Sequence, residues 1–166
     1  MNVRAALLAA VCVAAAAPLG ASASAVEERT CRGSLGAITV VNLRVPQGAK
    51  CTLRGTIVKG KIRVLRNGTL KATNLRVVGD VQAENHRLVS VRSSQVGGSI
   101  QIVQGGGATV AGNTVKGDIQ FFENRRALVV RGNRVDGNLQ CKENRLRPTG
   151  GNNRVGGTKE DQCRRL

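Results

Sequence analysis

Val77-Val78-Gly79-Asp80-Val81-Gln82, Val96-Gly97-Gly98-Ser99-Ile100-Gln101, Val115-Lys116-Gly117-Asp118-Ile119-Gln120 and Val135-Asp136-Gly137-Asn138-Leu139-Gln140 are four versions of one hexapeptide. Their glycines, Gly79, Gly98, Gly117 and Gly137, recur at an almost constant period. Gly60 extends the series by one period upstream and Gly157 extends it by one period downstream. Self-similarity at a fixed period of this length marks an architecture in which each unit stacks on the next. The series makes five full units and a partial sixth, and the stretch from Gly36 to Lys59 reads as one longer, irregular unit that opens the array.

Each unit repeats an internal alternation. Apolar residues stand two and four positions after the glycine: Ile62 and Val64, Val81 and Ala83, Ile100 and Ile102, Ile119 and Phe121, Leu139 and Cys141. A second pair follows at Leu70 and Ala72, Val89 and Val91, Ala108 and Val110, Ala127 and Val129, and a third site falls at Val77, Val96, Val115, Val135 and Val155. Three period-two segments per unit predict three short strands. Between them lie Asn67-Gly68, Asn85, Gly105-Gly106-Gly107, Asn124 and Asn144, and in the next corner Asn113, Asn133 and Asn153, residue types that suit tight turns. A unit of this size cannot bury its apolar side alone, so the coils must stack with their strands in parallel, about 4.8 Å apart.

The fold class expected is therefore all-β: a single-stranded parallel β-helix of five to six coils, right-handed as parallel crossovers are. A left-handed β-helix would want strict hexapeptides repeated without the odd residues that this period carries. A leucine-rich repeat would want regularly spaced leucines and an asparagine ladder, and neither is read here.

The coil pattern V-x-G-[D/S/N]-[I/V/L]-Q, over Val58 to Asn144, resembles the coils of bactofilins, polymer-forming right-handed β-helices. The resemblance implies that fold and a capacity for self-association. Bactofilins are cytoplasmic and lack paired cysteines, and this chain departs from them on both counts. It also resembles small secreted β-helix proteins of high-GC bacteria, a class from which no activity carries over.

Residues 1–25 read as a secretory signal peptide: Arg4, then an apolar run from Ala5 to Leu19, then small residues ending at Ala25. No later segment approaches the length of a membrane span. One extracellular domain over residues 26–166 is expected, carrying Cys31, Cys51, Cys141 and Cys163, an even number suited to disulfides. Bridged Cα atoms must lie within about 7 Å. Separations of about one coil each place Cys31 beside Cys51 and Cys141 beside Cys163 on neighbouring rungs at the two ends. No Cys-x-x-Cys or histidine-rich spacing suggests redox chemistry, a metal or a cofactor.

After the proposed cleavage, 25 Lys and Arg face 10 Asp and Glu, a net charge of +15. Such a surface favours anionic partners, here an anionic polymer or a component of the cell envelope. With no Trp or Tyr and only Phe121 and Phe122 there is no aromatic platform for stacking sugars or bases, so no sequence-specific nucleic-acid binding is expected. The basic candidates are Arg125, Arg126, Arg131, Arg134, Arg145, Arg147 and Arg154, in a C-terminal region about twice as basic per residue as the rest; their coil-like intervals suggest a single edge. Gln82, Gln101, Gln120 and Gln140, three positions after successive glycines, form a candidate polar ladder.

No catalytic residue is assigned. A carbohydrate-active enzyme is the alternative class, and it would need Asp80, Asp118 or Glu123 to converge in a cleft. Asp80 and Asp118, two rungs apart, read instead as solvated acids. His86, the sole histidine, reads as a solvated turn residue.

Overall fold

A computed structural model describes residues 27–166, so the signal peptide proposed for residues 1–25 lies outside the described residues. Among the described residues the chain forms 22 short strands and no helix. They make three all-parallel sheets. The first runs through eight strands from Glu28–Thr30 to Lys159–Asp161, the second through seven from Gly33–Leu35 to Thr149–Gly151, and the third through seven from Thr39–Val40 to Arg154–Val155. Each coil gives one strand to each sheet in turn, as in Ile100–Val103, Gly107–Ala111 and Thr114–Val115. The chain is a β-solenoid of seven turns.

The expected five to six coils fall short because the N-terminal stretch holds two coils where the sequence reads as one irregular unit. Glu28 lies opposite Asn42, Gly33 opposite Cys51 and Thr39 opposite Ile57, offsets shorter than the later period that no glycine hexapeptide marks.

The interior is built from columns of aliphatic side chains. Leu43, Ile62, Val81, Ile100, Ile119 and Leu139 succeed one another in register on the first sheet, all fully buried. Val58, Val77, Val96, Val115 and Val135 do the same on the third. β-Branched side chains suit this packing, because a strand stacked on an equivalent strand presents like to like at every position. Each buried Val, Leu or Ile contributes about 1.5–3 kcal/mol of transfer free energy. One expected pair is displaced: Leu128 and Val130, not Ala127 and Val129, point inward, and Ala127 is exposed. The coil from Gly117 to Gly137 is one residue longer than its predecessor, and the extra residue enters the corner before this strand, shifting the alternation by one.

The corners are closed by side chains that hydrogen-bond the backbone of the neighbouring coil. Between the second and third sheets, the N–H of Ser94 donates to Asn113 Oδ1 (2.9 Å), that of Asn113 to Asn133 Oδ1 (3.0 Å) and that of Asn133 to Asn153 Oδ1 (3.1 Å). The Nδ2 groups of Asn113 and Asn133 donate to the carbonyls of Val91 and Val110. A matching series closes the corner between the first and second sheets: Gly105 N–H to Asn124, Asn124 N–H to Asn144, and Asn144 N–H to Gln162. Buried asparagine ladders are thus present, contrary to the sequence reading. These asparagines do not take the left-handed turn conformation; the preceding residues do, among them Gly112, Glu123, Gly132, Glu143 and Asn152.

The third corner explains the hexapeptide. Asp80 Oδ1 accepts the N–H of Ser99 (2.8 Å), Ser99 Oγ accepts that of Asp118 (3.0 Å), and Asp118 Oδ1 accepts that of Asn138 (2.7 Å). A Cβ on Gly98, Gly117 or Gly137 would fall onto the capping atom of Asp80, Ser99 or Asp118. The glycines are required by this close approach and not by a positive φ.

The cysteines pair as their spacing requires, Cys31 with Cys51 and Cys141 with Cys163, at Cα separations of 5.6 and 5.2 Å. Each bridge joins neighbouring coils at one end, where a solenoid frays, and closing a loop of this length stabilises by about 3 kcal/mol.

Two consequences are measurable by thermal or urea unfolding. Ile119→Asp places an unpaired carboxylate in the central column and is expected to abolish cooperative folding, whereas Gln101→Ser on the outer face of the same sheet is expected to cost under about 0.5 kcal/mol. Asn133→Ala strands the Asn113 N–H and the Val110 carbonyl and is expected to cost about 2–3 kcal/mol, with Gln95→Ala on the exposed side of the third sheet near neutral.

Candidate anion-binding surface

Between the two terminal strands of the first sheet the inward positions are apolar, so the charge is carried by outward positions, by the corners and by the ends of the rod. The seven candidate arginines are all exposed. They do not form one edge. Arg125, Arg126, Arg145 and Arg147 belong to the corner between the first and second sheets, where the N–H groups of Arg125 and Arg145 bond to the carbonyls of Gly105 and Asn124 on the coils before them. Arg131 and Arg134 flank the corner between the second and third sheets, and Arg154 stands one rung beyond Arg134. Among the described residues, ion pairs form only between Arg44 and Glu28 (3.1 Å), Arg134 and Asp136 (3.9 Å), and Lys142 and Glu143 (3.7 Å). Of the seven, only Arg134 has a carboxylate partner, at a long distance and with both side chains exposed, a pair of little energetic weight.

The glutamine row lies on the outer side of the first sheet in register. Gln82 Nε2 donates to Gln101 Oε1 (3.1 Å), Gln120 Nε2 to Gln140 Oε1 (2.8 Å), and Gln140 Nε2 to Glu160 (2.9 Å). Thr158 Oγ1 also donates to Glu160, and these two hydrogen bonds, Thr158 first, hold its carboxyl below the usual carboxylate range. No bond joins Gln101 to Gln120. The row therefore breaks into two hydrogen-bonded segments.

Asp80 and Asp118, expected to be solvated, and Glu123, named for the alternative cleft, are all hydrogen-bonded. Asp80 and Asp118 cap backbone N–H groups at the start of first-sheet strands, and Glu123, beyond the other end of such a strand, accepts from Gln104 Nε2 (3.0 Å). The three carboxylates do not converge on one cleft.

His86 is the largest departure from the sequence reading. It is not solvated: it is 3% exposed and occupies the corner position that Asn124 and Asn144 fill in later coils. Neither ring nitrogen has a hydrogen-bond partner within 3.5 Å, the Gly107 backbone being the nearest polar influence on the ring. A Cβ on Gly105, one coil further along, would fall onto the imidazole ring, so the glycine is there to admit it. The signal was available in the sequence as three consecutive glycines one period after the only histidine. Burial lowers the imidazole pKa from 6.5 to about 4, opposed by a smaller contribution from the Gly107 backbone.

Beside His86, Gly105 and Gly106 line a notch of about 250 Å³ together with Asn67, Asn85, Arg87, Gln104, Arg125 and Arg126. A second hollow of about 300 Å³, between Arg66, Asn67, Asn85 and Arg125, shares three of those residues. Together they form a basic trough along the rod whose lining contains no carboxylate.

Comparison of the chain with family models, with curated proteins and with solved structures gives no match. What the residues define is a class: a basic, disulfide-stapled parallel β-solenoid.

The buried imidazole has a consequence for stability. Its folded pKa lies below the unfolded value, so the unfolded chain binds the proton more readily, and stability present above pH 6.5 is lost as pH falls toward 4. The loss is expected to be on the order of 3 kcal/mol. Urea unfolding at intervals across that window reads it, and His86→Asn is expected to flatten the profile.

Proposed function

We propose that this protein is an exported structural and interaction module that binds anionic polymers of the cell envelope or extracellular space through its arginine-rich corners. The observation that carries the reading is the surplus of unpaired guanidinium groups on a rigid rod: 18 arginines outside residues 1–25, and only two of them within 4.0 Å of a carboxylate among the described residues. Fixed cations at intervals of one coil suit a partner with anionic groups along its length, and long-range attraction steers such a partner to the surface. Two disulfides favour an oxidising compartment, which agrees with the signal-like residues 1–25. Among the described residues no helix is long and apolar enough to cross a membrane. The coil-level likeness to bactofilins supports a structural role and makes self-association worth following in the same experiments.

Binding of this kind discriminates poorly among polymers and weakens steeply with salt, because the entropy gained on releasing counterions shrinks as their bulk concentration rises. Fluorescence titration of long-chain polyphosphate and of heparin between about 50 and 200 mM salt is expected to show a fall of a hundredfold or more for a protein making several anion contacts. Changing Arg125, Arg126, Arg134 and Arg154 together to Gln is expected to lower both affinity and salt slope. Equal affinity and equal slope for the two proteins would leave the charge without a role in binding.

A further inference from the structure

Four arginines, two turn asparagines and the buried histidine meet at one corner of the rod, and the corner has a specific defect. Successive coils place Arg87, Gly106, Arg125 and Arg145 in equivalent positions, each donating its N–H to the carbonyl of the residue that occupies the ladder position one coil before. Gly106 is the one member of this column without a side chain, and the Arg87 carbonyl lies where its Cβ would be. Its neighbour Gly105 is small because the His86 ring fills the space where its Cβ would lie. The notch of about 250 Å³ lies at this point, lined by Arg87 from one coil, Arg125 and Arg126 from another, and His86.

The polar chemistry around the notch is one-sided. Asn67 and Asn85 present amides at its margin, Gln104 is occupied by Glu123, and Arg66, Arg87, Arg125 and Arg126 have no carboxylate within 4.0 Å. The buried ring is the second, independent feature: both its nitrogens are shielded from solvent and unpartnered, a costly arrangement for a polar group. An oxyanion in the notch would meet the guanidinium forks, which match tetrahedral oxyanions by paired hydrogen bonds, and its charge would act on the imidazole packed beneath.

We propose that this notch is a subsite for one tetrahedral oxyanion, a phosphate or sulfate ester group of the bound polymer, held by Arg87, Arg125 and Arg126 over the imidazole of His86. The proposal rests on the polyanion reading above and gives it a location and a ligand group. It carries a linked proton. An anion beside the ring favours the imidazolium form, so occupancy raises the His86 pKa from its depressed value, and the arginines that face it from neighbouring coils, Arg66, Arg87, Arg125 and Arg126, are neutralised in part by the same anion.

His86 is the only histidine in the sequence, so a tag-free protein gives a single imidazole signal in nuclear magnetic resonance. Titration with tripolyphosphate and, separately, with a sulfated heparin disaccharide is expected to shift that signal saturably and to raise its titration midpoint; a response to one probe alone assigns the site to that oxyanion, phosphate or sulfate. Arg87→Gln with Arg125→Gln is expected to weaken binding at least about tenfold. Arg131→Gln with Arg154→Gln removes the same charge elsewhere and is expected to weaken it about two- to threefold. If long polymer binds but the His86 signal stays still and both double variants lose equally, the subsite is overturned and the diffuse polyanion reading stands. Failure of wild type to bind any polymer sinks both.

Discussion

Every position in this chain has to be compatible with its own equivalent about 4.8 Å above and below, because the strands of neighbouring coils pair in parallel and in register. That constraint governs the rest. It admits aliphatic columns in the interior, where Leu43, Ile62, Val81, Ile100, Ile119 and Leu139 meet like with like. At the corners it admits amides, since an asparagine offers an acceptor to one N–H and a donor to one carbonyl and repeats without conflict. It also dictates the glycines of the hexapeptide, which leave room for the side-chain oxygen of the coil below. A corner bond left unmade in a buried place costs more than the same bond contributes when made, so the ladders are as much a condition of the fold as the hydrophobic columns.

Arginine is excluded by the same reasoning from the inward positions of coils covered on both sides, and the corners, the outer strand positions and the open ends are where it can go. The candidate arginines are consequently divided by geometry between the corner column of Arg125 and Arg145 and the group around Arg131, Arg134 and Arg154. Residues evenly spread along the sequence end on different sides of the rod because each coil turns through all three sheets before it returns.

Much of the fold was legible because the glycine spacing fixed the phase of each coil, and phase decides which residues point inward. It failed where the phase was not marked. The first coil is shorter than those that follow and neither it nor the second carries the hexapeptide, so the two merge into one in the sequence. The longer coil after Gly117 kept its glycine but slipped by one in its second strand, exchanging Ala127 and Val129 for Leu128 and Val130. The site was less legible. Asn113, Asn124, Asn133 and Asn144 are recognisable as corner residues, but a turn asparagine and a ladder asparagine look alike in sequence, and only the neighbour's positive φ separates them. His86 was misplaced because a lone histidine among polar residues suggests exposure; its burial depends on the empty space at Gly105, a relation between residues one period apart.

The placement of the two disulfides has an effect on how the rod is governed as an object of variable length. Each bridge ties only two adjacent coils at its own end, and nothing covalent other than the main chain links the N-terminal bridge to the C-terminal one. The coils between Gly60 and Gly137 thus lie between two independently fastened terminals, and the gain or loss of one whole coil changes the rod by a single step of about 4.8 Å while leaving both terminals intact. Length in such a molecule is quantised, and so is the distance between any two features that it holds apart.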